Sequence, residues 1–203
     1  MEIVKISLCI PTKDRFDNFL NNNLSKYINY LNDGLIDEII ICDENGNDYN
    51  NIVDKYINNE KSTVKITNID NFRIYKNDKV LGVFLNKLKV CNLAKNNFIA
   101  LIDSDNFAND IYFKVVKDYI VSKNIITNRI LAPCFAKPRF DSVMRDYKNY
   151  IFTKYNCKYH VHNNNFNILI NTGNYVITKN IVENIKYDET ILHKISACDV
   201  MYF

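Results

Sequence analysis

The chain has 203 residues, 47% of them hydrophobic and 24% charged, which suits one packed domain and excludes wholesale disorder. Its 26 basic and 23 acidic residues leave a net charge of +3, too small to act as a nucleic-acid footprint. No apolar run reaches the ~18 residues of a membrane span, and only 4 Gly and 3 Pro argue against collagen-like or linker-rich architectures.

In chain order, residues 2–10 are β-rich and mostly apolar, as in a strand buried on both faces. Polar residues interrupt this stretch, so it does not read as a signal peptide. After Pro11 the period becomes helical, with Phe16, Phe19, Leu20, Leu24, Tyr27, Ile28 and Leu31 on one side, and Asp33-Gly34 ends the helix. Residues 36–42 form a second strand, 50–59 a short helix and 64–69 a third strand. A polar loop over 71–79 leads to a helix over 82–95, then a fourth strand over 98–102. Strands alternating with helices of this length imply right-handed crossovers and a mainly parallel sheet. Next comes a helix over 109–122, with Ile111, Val115, Tyr119 and Ile120 expected toward the core. Residues 130–135 read as a strand, 136–167 show no sustained period, and a turn at 171–174 precedes a strand over 175–178 and a short helix over 179–184.

The six cysteines stand singly at 9, 42, 91, 134, 157 and 198, with no Cys-x-x-Cys. Buried, reduced thiols in a soluble cytoplasmic protein are the expectation. Cys157, His160 and His162 lie close together, but structural zinc takes four ligands in paired spacings and no partner cluster is visible.

Ligands of open parallel sheets bind beyond the carboxyl ends of the strands, where strand order reverses. There the first strand is followed by Pro11, Thr12, Lys13, Asp14 and Arg15, the second by Asp43 and Glu44, and the fourth by Asp103, Ser104 and Asp105. Cations and carboxylates at one edge suit a phosphate-bearing ligand that needs direct pairing and a metal. No Gly-x-Gly-x-x-Gly and no Gly-x-x-x-x-Gly-Lys-Ser/Thr occurs, which excludes the dinucleotide fingerprint and the phosphate loop of ATPases. Asp103 and Asp105 would face one side if the strand continued, and their repulsion would be relieved by Mg²⁺ or Mn²⁺. The competing reading is a solvated Asp-Ser-Asp turn that caps the next helix.

From Ile6 to Asn106 the chain resembles a GT-A glycosyltransferase of the family-2 type. The resemblance rests on a first strand followed by Ile10-Pro11-Thr12-Lys13-Asp14-Arg15, on Gly82-Val83 opening a helix, and on Ala94-Lys95 and Phe98–Ile102 leading into Asp103-Ser104-Asp105. It extends to Asn171-Thr172-Gly173-Asn174, Tyr187-Asp188-Glu189 and Cys198-Asp199-Val200, while no motif aligns residues 136–167. Two departures stand out: Lys87-Leu88 replaces the usual Arg-Asn, and Cys198-Asp199 the usual Glu-Asp. Giant-virus glycosyltransferase domains are comparably short and come from similarly AT-rich genomes.

The resemblance implies an α/β GT-A fold: a Rossmann-like, mainly parallel sheet flanked by helices, with a smaller acceptor-side C-terminal portion. It implies one domain over 1–203, with a nucleotide-sugar half at 1–106 and an acceptor-side half at 107–203, possible as part of a longer polypeptide. Implied donor contacts are Pro11, Thr12, Lys13, Arg15, Asp43, Gly82, Lys87, Asp103, Ser104 and Asp105, with Asp105 and Asp103 on Mn²⁺ or Mg²⁺. Asp199 is the implied general base of an inverting transfer to a glycan or glycoprotein hydroxyl, with Asp188 as the fallback. The implied donor is a nucleotide sugar, foremost a UDP-sugar. His193 is a further donor-side candidate. Tyr147, Tyr150, Phe152, Tyr155 and Tyr159, with Arg139, Arg145 and Lys148, form either an acceptor-facing region or a packed aromatic helix face. A sugar-1-phosphate nucleotidyltransferase is disfavoured, since its Gly-rich, Arg-bearing first loop is missing. A non-catalytic nucleotide- or glycan-binding domain is the alternative.

Overall fold

The computed structural model describes residues 3–133, 147–153, 155–163, 166 and 174–192. Six strands form one sheet in the order β3-β2-β1-β4-β6-β5. They are β1 (Ile6–Thr12), β2 (Glu38–Asp43), β3 (Phe72–Lys76), β4 (Phe98–Leu101), β5 (Ile130–Leu131) and β6 (Tyr175–Thr178). The strands β3, β2, β1 and β4 run parallel, and β6 is antiparallel to both β4 and β5. The order of strands therefore reverses direction between β1 and β4.

Because successive strand residues point to opposite faces, the buried strands feed two cores. Ile6, Leu8, Ile10, Ile39, Ile41, Phe98, Ala100 and Val176 enter one, with Leu24, Tyr27, Ile28 and Leu31 of α1 (Asn21–Asn32) and Phe113 and Ile120 of α4 (Asp110–Ser122). Ile52 of α2 (Asn47–Ile52) joins the same core. Cys9, Ile40, Cys42, Ile99, Leu101 and Ile177 enter the other, with Phe84, Leu88, Val90 and Cys91 of α3 (Val83–Asn92) and Val182 of a short helix, Lys179–Glu183. Each fully buried Leu, Ile or Phe side chain contributes about 1.5–3 kcal/mol of transfer free energy.

The strand expected over 64–69 does not form. The Asn32 side chain takes up backbone groups there instead: its Oδ1 accepts from Thr67 N (3.0 Å), and its Nδ2 donates to the Lys65 carbonyl (2.7 Å). Val64 and Ile66 still pack against the first core. The third strand comes later, over Phe72–Lys76, within the stretch expected to be a loop. Helix α4 also turns otherwise than expected. Ile111 and Val115 are 61% and 58% exposed, while Phe113 and Ile120 are buried and Val116 packs beside them. The sequence Ile-Tyr-Phe-Lys-Val-Val is apolar on both sides of a helix, so spacing alone does not choose between them. Of the strand expected over 130–135, Ile130–Leu131 forms, and residues 134–135 lie outside the described residues.

The first strand begins at Ile6 rather than at residue 2 and runs through Pro11 to Thr12. Cys9 faces β4, since its carbonyl accepts from Ile102 N at 3.0 Å, and Pro11 shares that side of the strand. Proline has no N–H with which to continue the ladder. Pairing with β4 stops there, and the chain after Ile102 is released from the sheet.

Candidate active site

The segments after β1, β2, β3 and β4 all leave the carboxyl edge of the parallel strands. The loop after β4 forms a turn, closed by Asn106 N donating to the Asp103 carbonyl at 2.9 Å. The strand does not continue, so Asp103 and Asp105 separate. Asp103 turns toward α3, where Lys87 Nζ lies 2.9 Å from its Oδ1 and 3.2 Å from its Oδ2. The Lys87 side chain is only 7% exposed and that of Asp103 28%. Ser104 is buried, and Asp105 projects into solvent. The turn does not cap the next helix: Asn109 does, its side chain accepting from Tyr112 N. The repulsion between the two carboxylates is thus relieved in part by a protein cation.

The loop after β1 is held from below by Asp48, in the first turn of α2. Its buried carboxylate accepts from Thr12 Oγ1 (2.5 Å), Arg15 N (3.0 Å) and Phe16 N (3.0 Å). This leaves Lys13, Asp14 and Arg15 exposed at the edge. The Asp14 backbone is left-handed, with φ of 52°, a conformation Asp tolerates better than most residues. Its carboxylate accepts from Asn47 Nδ2 (2.7 Å) and Asn45 Nδ2 (2.6 Å), and these bonds hold it below the usual aspartate range. The Arg15 guanidinium lies over the Phe19 ring, 5.5 Å from its centroid.

Asp43 sits where expected, at the end of β2 opposite Thr12. Its carboxylate, however, is fully buried and turned inward, accepting from Tyr49 N (2.7 Å) and Asn45 N (3.2 Å). It shapes the loop. Its neighbour Glu44 reaches the segment after β3: Oε1 accepts from Gly82 N (2.6 Å), and Oε2 lies 3.8 Å from Lys13 Nζ. Gly82, just before α3, has φ of 87° and ψ of 161°, which favours glycine, and a Cβ there would meet nothing within 4 Å. Beneath it, Lys89 donates to Asn77, Asn77 to Asn86, and Asn86 to the Cys42 carbonyl.

Among the predicted site residues, Pro11, Thr12 and Asp43 end β1 and β2, Lys13 and Arg15 follow β1, Gly82 precedes α3, which bears Lys87, and Asp103, Ser104 and Asp105 follow β4. Asp199, His193, Arg139 and Arg145 fall outside the described residues. Asp188 accepts from Thr190 N and Oγ1 at the start of a short helix, Glu189–Leu192, and these bonds lower its pKa. His160 is flanked by two hydroxyls, Tyr147 at 3.3 Å and Tyr150 at 2.9 Å, inside a cluster with Phe152 and Phe166. Asp48, Asn77 and Asn86 are the contributors that sequence reasoning missed. The signal for Asp48 was a third carboxylate after β2, at the start of a helix.

No three His, Cys, Asp or Glu side chains converge as a metal cluster among the described residues. Asp105 offers an exposed carboxylate, a donor type that hard divalent cations take. Asp103 is already paired with Lys87, which leaves its carboxylate less available to a cation.

No protein-family model matches the sequence, and no curated protein matches it either. Solved structures do match by shape. S. aureus TarS 1–349 superposes with a TM-score of 0.66 at 16% identity, over 98% of this chain and 54% of that one. TarS 1–349 in complex with UDP gives 0.59 at 15% identity, over 98% and 54%. The complex with UDP-GlcNAc gives 0.62 at 14% identity, over 89% and 47%. The chain spans about half the length of these TarS structures. No helix among the described residues is long and apolar enough to cross a membrane. The mainly parallel six-stranded sheet, flanked by helices and with β6 antiparallel between β4 and β5, is a GT-A-like fold.

Proposed function

We propose that this chain is a glycosyltransferase domain of the family-2 type that moves a sugar from a UDP-sugar to an acceptor hydroxyl with the help of Mn²⁺ or Mg²⁺. One observation carries the reading. At the β1/β4 reversal point, an exposed Asp105 follows the Lys87–Asp103 pair after β4, while Lys13 and Arg15 stand exposed after the neighbouring β1. Such an edge can bind a diphosphate from both sides. The UDP and UDP-GlcNAc complexes of TarS support the nucleotide class. The free, buried thiols of Cys9, Cys42 and Cys91 support a cytoplasmic setting.

Asp105, with Asp103 beside it, would hold the cation, whose other ligands would be phosphate oxygens and water. When bound, the cation supplies Lewis-acid stabilisation of the charge that develops on the departing diphosphate. Lys87, Lys13 and Arg15 add positive potential around that charge. Ser104 stands near the ribose, and Pro11, Thr12 and Gly82 shape the nucleoside pocket through backbone. Asp43 acts by fixing the loop after β2. Asp199 takes the proton from the acceptor hydroxyl, which makes that oxygen nucleophilic for an inverting displacement. The acceptor is a glycan or glycoprotein hydroxyl, and residues 107–203 form its side of the domain.

The test is binding and hydrolysis of UDP-, GDP- and TDP-sugars, with Mn²⁺ and with chelator, in the wild type and Asp105→Ala. Metal-dependent release of one nucleoside diphosphate, lost in the variant, is expected. Binding with the donor left intact would point to a non-catalytic domain, and absence of nucleotide binding would overturn the donor site.

A further inference from the structure

The β2–α2 loop contains the only Asn-Gly step in the sequence, Asn45-Gly46. Such a step can react without any enzyme: the backbone nitrogen of the glycine attacks the asparagine side-chain carbonyl, because no side chain shields it. We propose that Asn45 is a deamidation site, restrained by Asp14, whose conversion loosens the tie between the β1 and β2 loops.

The surroundings both favour and restrain the reaction. No hydrogen bond engages the Gly46 N–H among the described residues, so the nucleophile is uncommitted. The Asn45 Oδ1 accepts from Asn47 N at 3.1 Å, a bond that stabilises the negative charge arising on that oxygen during attack. The Lys76 side chain lies over Gly46, its Nζ 2.8 Å from where a Cβ would stand, which places a cation near the backbone whose nitrogen must ionise. Against these, Asn45 Nδ2 is tied to Asp14 Oδ2 at 2.6 Å, which holds the amide in its present rotamer.

The chemistry balances as follows. The Gly46 N–Cγ bond forms and the Cγ–Nδ2 bond breaks. The proton from Gly46 leaves with Nδ2 as ammonia, giving a five-membered succinimide. Water then opens either imide carbonyl, yielding aspartate or isoaspartate. Either product sets a carboxylate against that of Asp14, where a donor stood before. The Asn45–Asp14 contact becomes a repulsion, while Asn47 Nδ2 still donates to Asp14 Oδ1, and isoaspartate also adds a methylene to the backbone ahead of Gly46.

The modification stands apart from the donor-site reading; only its consequence for nucleotide binding rests on that reading. Purified wild type and Asp14→Ala are incubated in mildly alkaline buffer, and conversion at each asparagine is followed by peptide mass spectrometry with an isoaspartate assay. Asn45 is expected to convert ahead of the other asparagines, and several-fold faster in Asp14→Ala. Equal rates in the two proteins, or conversion at Asn45 no faster than elsewhere, would overturn the proposal. The tie itself is tested in Asn45→Asp: a lower melting temperature without ligand is expected, and an unchanged one would overturn the loop-loosening step. Neither readout depends on a nucleotide, so failure of the donor reading would leave both intact.

Discussion

Lys87 on α3 and Asp103 after β4 form a partly buried pair, Nζ lying 2.9 Å from Oδ1, and this pair separates the duties of the two carboxylates in the turn. Asp103 is neutralised from inside the protein, while Asp105 remains open to solvent. The Lys87 ammonium thus offsets part of the turn's negative charge from within the protein.

Replacing Lys87 with Met keeps the length of the side chain and removes the charge. Asp103 then loses a charged partner in a partly desolvated position, and a destabilisation of roughly 1–3 kcal/mol is expected, discounted for the exposure of Asp103. Urea unfolding curves measure it. Lys87→Arg is expected to recover part of the loss, and a Met variant as stable as the wild type would remove the pair from the account.

Asp48→Ala deletes one carboxylate that serves Thr12, Arg15 and Phe16 together. Several charge-assisted bonds are lost, so about 2–4 kcal/mol is expected from chemical denaturation. Nucleotide affinity is expected to fall further than stability explains, because the Lys13–Arg15 loop loses its anchor. Calorimetric titration of UDP into the still-folded variant reads that second effect.

The opposite end of the sheet offers a contrast. Buried Glu38 accepts from Ser7 Oγ and Lys95 N and pairs with Arg73, far along β1 and β2 from Thr12 and Asp43. Glu38→Ala strands Arg73 and is expected to cost about 3–5 kcal/mol. Donor affinity of the folded fraction should stay unchanged. A selective loss of nucleotide binding would show that the two ends of the sheet are coupled.

Alkaline conditions should weaken the fold through its thiols. Burial pushes the Cys42 thiol from its ordinary 9.0 up to about 12, and burial together with the neighbouring Cys91 raises Cys9 as well. Above the ordinary value the unfolded chain releases these protons while the folded chain keeps them, so stability falls as pH rises from about 9 toward 12. The sign is reversed for Asp14. Its lowered folded pKa contributes stability above the ordinary 3.8, which is lost as pH falls through the folded value. Melting temperatures recorded across the alkaline window check the first claim, and Cys42→Ala is expected to flatten the decline.

The strands β1, β2 and β4 were legible because they are short apolar runs punctuated by Pro11, Asp43 and Asp103, and α1 because its apolar period is clear, whereas α4, apolar on both sides, left its buried face open. The third strand was not. Residues 64–69 and 72–76 both alternate, and what decides between them is long-range: Asn32 occupies the backbone of the first, while Arg73 of the second reaches Glu38. The same limit applies to the site. The positions of Asp43 and Asp103 could be read from strand ends, but not that Asp43 turns inward, that Asp48 reaches back to β1, or that Asp103 meets Lys87. Those facts depend on side-chain direction after a turn, which periodicity does not encode.

The antiparallel setting of β6 has a consequence for how such a domain diversifies. Because β5 runs parallel to β4 and β6 runs against both, the chain leaves the sheet at Leu131 and re-enters it at Tyr175 on the same edge as Asp103. The two attachment points therefore sit on adjacent strands at one edge, whatever number of residues joins them. Lengthening a connection with fixed ends adds little closure entropy. Residues can be added or exchanged between those two points at small cost, while the pairings among β1, β2, β3 and β4 stay as they are.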